Sequence, residues 1–254
     1  MGKRNGLPST LDGLGLAKVV AVALFGVVTF AFAGYALTQY RAAPAASSEY
    51  TPSPIDLLTP TPTADALPEA LFIGDSYTHG TGASDPANRW TSIVAQAKSW
   101  AEDNEGLGGT GFVATAGVNG CGRSYCGTYG EVINSLINAD PSVVFIAGGQ
   151  NDFRAYAADP DTVTTAIQAT YENARSRFPD AQIISVGPTI IGDVSSAVEG
   201  LDAAVRTAAE TVGAQYVNMI DPDVLDKSMD VGDGGHVNDT GHRAIAERVL
   251  STIG

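Results

Sequence analysis

Short apolar runs separated by helix-length amphipathic segments constrain this chain more than any other feature of its sequence. Ala70–Ile73, Ser142–Ala147, Ala181–Val186 and Ala214–Asn218 are compact and hydrophobic on both faces. Between and after them, Arg89–Glu102, Thr162–Phe178, Leu201–Val212 and Thr240–Leu250 place apolar residues at helical spacing. A strand that is apolar on both sides must be covered on both sides, so alternation of this kind predicts a parallel sheet between two helical layers. The expected fold is therefore a three-layer α/β/α sandwich over residues 69–254.

The N-terminal portion is of another kind. Val19–Leu37 is a run of 19 uncharged residues broken only by Gly26, Thr29 and Gly34. As a helix it would span roughly 28 Å, close to the ~30 Å hydrocarbon core of a bilayer. Lys3, Arg4 and Lys18 precede it, while the remainder is strongly acidic and brings the chain to a formal charge of −14. That polarity predicts a cytoplasmic segment 1–18, a membrane anchor 19–37 and export of everything beyond. A cleaved signal sequence is the alternative, since Ala31-Phe32-Ala33 has the small-x-small form. Residues 38–68 are rich in Ala, Ser and Thr and carry Pro44, Pro52, Pro54, Pro60, Pro62 and Pro68, a composition that predicts an extended spacer. An acidic surface repels phosphate polymers, so nucleic acid is not an expected partner.

In parallel α/β sheets, ligands bind at the carboxyl ends of the strands. Gly74-Asp75-Ser76 follows the first apolar run, Gly148-Gly149-Gln150-Asn151-Asp152 follows the second, and Asp233-Gly234-Gly235-His236 precedes the last helix. Ser76 is a nucleophile candidate that needs a base to take its proton; its bland alternative is a helix N-cap. Of the three histidines, His236 has Asp233 three residues before it, a spacing that lets the carboxylate hold one ring nitrogen and leave the other for a hydroxyl. His79 is expected as a pocket wall and His242 as a surface residue. Asn151 and the glycine-rich run from Gly106 to Gly111 offer N–H donors for an oxyanion; a simple turn is the other reading of Asn151-Asp152.

Together these blocks resemble the SGNH (GDSL-type) hydrolases, and they occur in that family's order across the whole of residues 69–254. The resemblance implies a flavodoxin-like fold and an acyl-enzyme mechanism needing no cofactor. It casts Ser76 as nucleophile, His236 as base and Asp233 as its orienter. The oxyanion hole would comprise the Ser76 amide, the Gly109 amide and the Asn151 side chain. The family usually has Pro after the histidine, where this chain has Val237. An acidic domain on an extracytoplasmic tether suggests an acylated carbohydrate, such as an O-acetyl ester, or a small short-chain ester as substrate. An O-acyltransferase using the same triad, or a non-catalytic carbohydrate-binding module, are the competing functions.

Three other features bear on function. Gly106-x-Gly108-x-x-Gly111 formally matches a dinucleotide fingerprint with Glu131 following, but the preceding residues 99–105 read as helical and then acidic rather than as a buried strand. Asp230, Asp233, Asn238 and Asp239 miss the EF-hand spacing, and no metal is expected. Cys121 and Cys126 are expected to form a disulfide in an exported domain, stabilising it by about 2 kcal/mol, rather than to remain thiols or ligate a metal.

Overall fold

The structure is a computed structural model that describes residues 67–254. The expected segments 1–18 and 19–37, and all but the last two residues of 38–68, lie outside the described residues. Among those described, no helix is long and apolar enough to cross a membrane.

Five strands form one parallel sheet: β1 (Glu69–Gly74), β2 (Ala101–Gly106), β3 (Val143–Ala147), β4 (Gln182–Val186) and β5 (Gln215–Val217), in the order β2-β1-β3-β4-β5. The helices are α1 (Ser76–His79), α2 (Trp90–Lys98), α3 (Val118–Cys121), α4 (Tyr129–Ser135), α5 (Phe153–Ala158), α6 (Pro160–Arg177), α7 (Ser196–Thr211) and α8 (Asp239–Ile253). The three-layer α/β/α architecture is as expected. Strand periodicity divides the core in two. Leu71, Ile73, Val144 and Ile146 pack with residues of α4, α6 and α7 on one face, while Ala70, Phe72 and Phe145 pack with α2 and α8 on the other. On that second face Phe72 and Phe145 stack across β1 and β3 at 4.4 Å, and Trp90 meets Phe72 edge-on at 5.5 Å.

One helix boundary is corrected. The helix expected over Arg89–Glu102 ends at Lys98, where Ser99 takes a left-handed conformation and the Trp100 amide returns to Ala95 O. The following residues, Ala-Glu-Asp-Asn-Glu-Gly, form β2. This strand escaped pattern reading because it is a polar edge strand, with Glu102 and Asn104 satisfied by polar partners. Glu102 accepts from Thr91 Oγ1 and Ser92 Oγ and pairs with Arg89, and Asn104 donates to Thr78 O. The Gly106–Gly111 run does therefore follow a strand, contrary to the sequence argument; what it lacks is a helix opening at its third glycine, since the next helix begins at Val118. The glycine-rich stretch 119–130 is shaped by α3, by an antiparallel bridge between Ala116 and Cys126, and by the start of α4.

The register sets up the site. Gly74, the last residue of β1, pairs with Gly106 of β2 and with Ala147 of β3. The segments that follow these three strands consequently leave the sheet side by side. Phe72→Ala should cost about 3–5 kcal/mol, the usual loss for a buried Phe, read as a lower urea midpoint at unchanged m-value; a loss below about 1 kcal/mol would show that the aromatic stack is not central to the core.

Candidate active site

Ser76 opens α1 directly after Gly74-Asp75, and the Asp75 side chain caps this helix by accepting from the Tyr77 amide at 2.9 Å. The cap is thus Asp75, not Ser76, whose hydroxyl is left for other work. His236 arrives from the loop ahead of α8. Its Nε2 lies 2.8 Å from Ser76 Oγ, and its Nδ1 lies 2.7 Å from Asp233 Oδ2. The three residues expected to act together are therefore in contact.

The roles of the ring nitrogens follow from charge. Hydrogen bonds from the His236 ring first, then from the Gly235 and His236 amides, hold the Asp233 carboxyl down at about 2. It is an anion at neutral pH and can only accept, so Nδ1 is the donor. Nε2 is then the acceptor, and Ser76 donates its hydroxyl hydrogen to it. Backbone bonds shape this loop. Asp233 Oδ1 accepts from the Gly235 and His236 amides, Asp230 Oδ1 accepts from the Gly232 and Gly234 amides, and the Val231 amide donates to His236 O. Asp230, Asp233 and Asn238 are thus occupied with backbone N–H groups, and Asp239 with Ser84. Val237 is fully buried against the α2/α8 face. The bridge between Asp230 and Val237 is closed by the flanking Val231 and Asn238 amides, so the position that is usually Pro in the family uses no ladder donor here.

The oxyanion candidates lie on two loops that are tied together. Asn151 Nδ2 donates one hydrogen to Thr110 O at 2.9 Å, which leaves its second N–H. Gly109 has φ +78°, a left-handed conformation that glycine adopts without penalty. The buried Asp152 carboxylate accepts from the Phe112, Val113 and Ala114 amides at 2.7–3.2 Å. Burial pushes that carboxyl above its ordinary value, and the three amides oppose the shift. A β-carbon on Gly111 would come within 2.2 Å of Asp152 Oδ2, so this approach needs glycine. Asn151-Asp152 does sit on a tight turn, the 3₁₀ segment Gln150–Asp152, yet both side chains bind the Gly109 loop.

Several participants were not picked out from sequence. Asp75 has no exposed surface and accepts from Tyr77 N, Tyr129 Oη and Gln150 Nε2 at 2.9–3.0 Å. Burial pushes its carboxyl up to about 7, while the Tyr77 amide, the Tyr129 hydroxyl and the Gly149 amide pull it down. His242, expected on the surface, is fully buried, with Nε2 3.1 Å from Thr81 O; burial lowers its tendency to protonate. Its spacing with Ile245, Ala246 and Val249 on α8 was the available signal. His79 does line a cavity, as expected. Cys121 and Cys126 are disulfide-bonded.

A buried three-layer sheet with a serine, histidine and acid meeting at its strand ends defines a hydrolase of the SGNH type, and the comparisons agree. Residues 72–244 match the GDSL-like lipase/acylhydrolase family. A GDSL lipase of Mycobacterium tuberculosis is 28% identical over 200 residues, spanning 74% of this chain and 82% of that protein. Phospholipase A1 from Streptomyces albidoflavus superposes with a TM-score of 0.54 at 16% identity, covering 74% of this chain and 100% of that one. The salicylyl-acyltransferase SsfX3 from a tetracycline biosynthetic pathway shares the fold at TM-score 0.54 and 16% identity, over 75% of this chain and 55% of that one. The chain belongs to the GDSL-like lipase/acylhydrolase family and is an SGNH-type hydrolase.

The acid–histidine pairing has a consequence in pH. Asp233 titrates lower when folded than its ordinary value of 3.8, so the pairing contributes stability that is complete above about pH 4 and is lost as pH falls through about 2. Asp233→Asn should flatten this part of the acid limb in urea unfolding measured between pH 2 and 5. Identical limbs in the two proteins would show that the pairing contributes nothing to folding.

Proposed function

We propose that the protein is an extracytoplasmic serine ester hydrolase acting on short-chain or carbohydrate O-acyl esters, held at the membrane by residues 19–37. The observation that carries the chemistry is the unbroken line Ser76 Oγ, His236 Nε2, His236 Nδ1, Asp233 Oδ2, each contact under 3 Å. Ser76 attacks the ester carbonyl as its proton passes to His236. The tetrahedral oxyanion develops beside the Ser76 and Gly109 amides and the remaining Asn151 N–H, each donor being worth about 3–4 kcal/mol in such sites. The imidazolium, steadied by Asp233, gives its proton to the departing alcohol. Water activated by His236 then attacks the acyl-Ser76 ester, and Ser76 leaves with the proton.

Export is supported by the cationic flank ahead of Val19–Leu37, by the acidic remainder and by the Cys121–Cys126 disulfide, a bond that persists in oxidising compartments. Cleavage after this segment would release the same catalytic unit, with the same chemistry. Acyl transfer differs only in the last step, where a sugar hydroxyl replaces water. A non-catalytic binding module is disfavoured by the intact relay, because binding alone requires no serine aligned with a braced imidazole.

Full-length protein purified in detergent should hydrolyse 4-nitrophenyl acetate, and Ser76→Ala should lower the rate by at least 10³-fold with an unchanged circular dichroism spectrum, the relay being the nucleophilic machinery. Turnover retained in Ser76→Ala would remove Ser76 from the mechanism.

A further inference from the structure

The cavity lined by His79 begins one residue from the Gly109 turn. Its volume is about 340 Å³, at the small end of small-molecule sites. Gly108 joins it to the relay. A β-carbon there would lie 3.8 Å from Ser76 Cβ and 2.5 Å from Gly120 O, and both glycines line the cavity. The walls are otherwise polar, formed by His79, Arg89, Asn104, Glu105 and Arg123, with Leu107 as the main aliphatic contribution. A hydrocarbon chain placed here would strip water from charged groups and return nothing to them.

The charges also discriminate. Arg89 lies 3.4 Å from Glu102 and is neutralised by it. Asn104 is committed to Thr78 O and Thr91 Oγ1. Glu105 and Arg123 remain, and each feels the other: burial and Asp103 raise the Glu105 carboxyl above its ordinary range, and the Arg123 charge draws it back. Among the described residues neither side chain makes a hydrogen bond or an ion pair within the protein. One acceptor group and one donor group of opposite sign, in a polar cavity whose third charged residue, Arg89, is paired with Glu102, match a neutral polyol better than a phosphate or a carboxylate.

Resting on the ester-hydrolase reading above, we propose that this cavity is the subsite for the hydroxyl-bearing part of the substrate, a neutral sugar ring, with Glu105 accepting from its hydroxyls and Arg123 donating to them. Arg123 belongs to the short loop closed by Cys121 and Cys126, and both Cys121 and Arg123 line the cavity, so the disulfide restrains a specificity residue. Gly120 of α3, the residue before Cys121, lies against the Gly108–Gly109 turn.

The test compares 6-O-acetylglucose with 4-nitrophenyl acetate and 4-nitrophenyl octanoate on the full-length protein in detergent. The unmodified protein should prefer both acetates to the octanoate. Glu105→Gln and Arg123→Ala should each lower kcat/KM for 6-O-acetylglucose at least tenfold more than for 4-nitrophenyl acetate, mainly through KM, and Arg123→Lys should recover part of the loss. Free glucose should inhibit 4-nitrophenyl acetate hydrolysis competitively, more strongly in the unmodified protein than in Glu105→Gln, and sodium phosphate should not. Equal losses on both acetates, no loss on the sugar ester, or a preference for the octanoate would overturn the subsite while leaving the esterase intact. Failure of the unmodified protein to hydrolyse any of the three esters would overturn the ester-hydrolase reading itself.

Discussion

One carboxylate without solvent contact, Asp75, stands between the end of β1 and Ser76, and the arrangement of the site depends on how it is satisfied. An isolated charge at that depth would be intolerable, and each missing donor to a buried polar group costs about 1–3 kcal/mol. Its donors come from separate parts of the chain: the Tyr77 amide of its own turn, the Tyr129 hydroxyl from α4, and the Gln150 amide from the turn after β3. Satisfying Asp75 therefore fixes the serine turn, the helix beneath it and the Asn151 turn relative to one another. A group that never touches substrate in this arrangement sets the positions of groups that do.

Asp152 repeats the device on the neighbouring loop. It gathers three consecutive amides, Phe112 to Ala114, so the Gly109 turn is anchored from one side by a buried anion and from the other by Asn151. Donors aimed at a developing oxyanion are most effective when no reorganisation accompanies the reaction, and these two contacts supply that rigidity. The base is organised differently. Asp233 and His236 lie in a turn stapled by its own backbone, largely open to solvent, and the imidazole is braced by a residue only three positions away.

Much of the layout was legible before any coordinates. Ser76, Asn151 and His236 stand beside apolar runs whose periodicity identifies strands and the last helix, and the rule that parallel sheets act at their carboxyl ends connects them. What was not legible has a common cause. The partners of Asp75 are 54 and 75 residues away along the chain, and no local pattern encodes such pairings. β2 escapes a hydrophobic pattern because its first two residues continue the periodicity of α2 and the rest is acidic, whereas Glu102 and Asn104 are held by Thr91, Ser92, Arg89 and Thr78. His242 was misplaced because polarity was weighed above its helical register with Ile245 and Val249.

The polar character of β2 has one further effect. It is the outermost strand on its side of the sheet, and an uncovered strand is a template onto which another chain can add. A second copy aligning there would bring Asp103 and Glu105 against a like-charged row, and Coulomb repulsion opposes that addition. The acids that concealed the strand from pattern recognition thus also guard the sheet against intermolecular polymerisation.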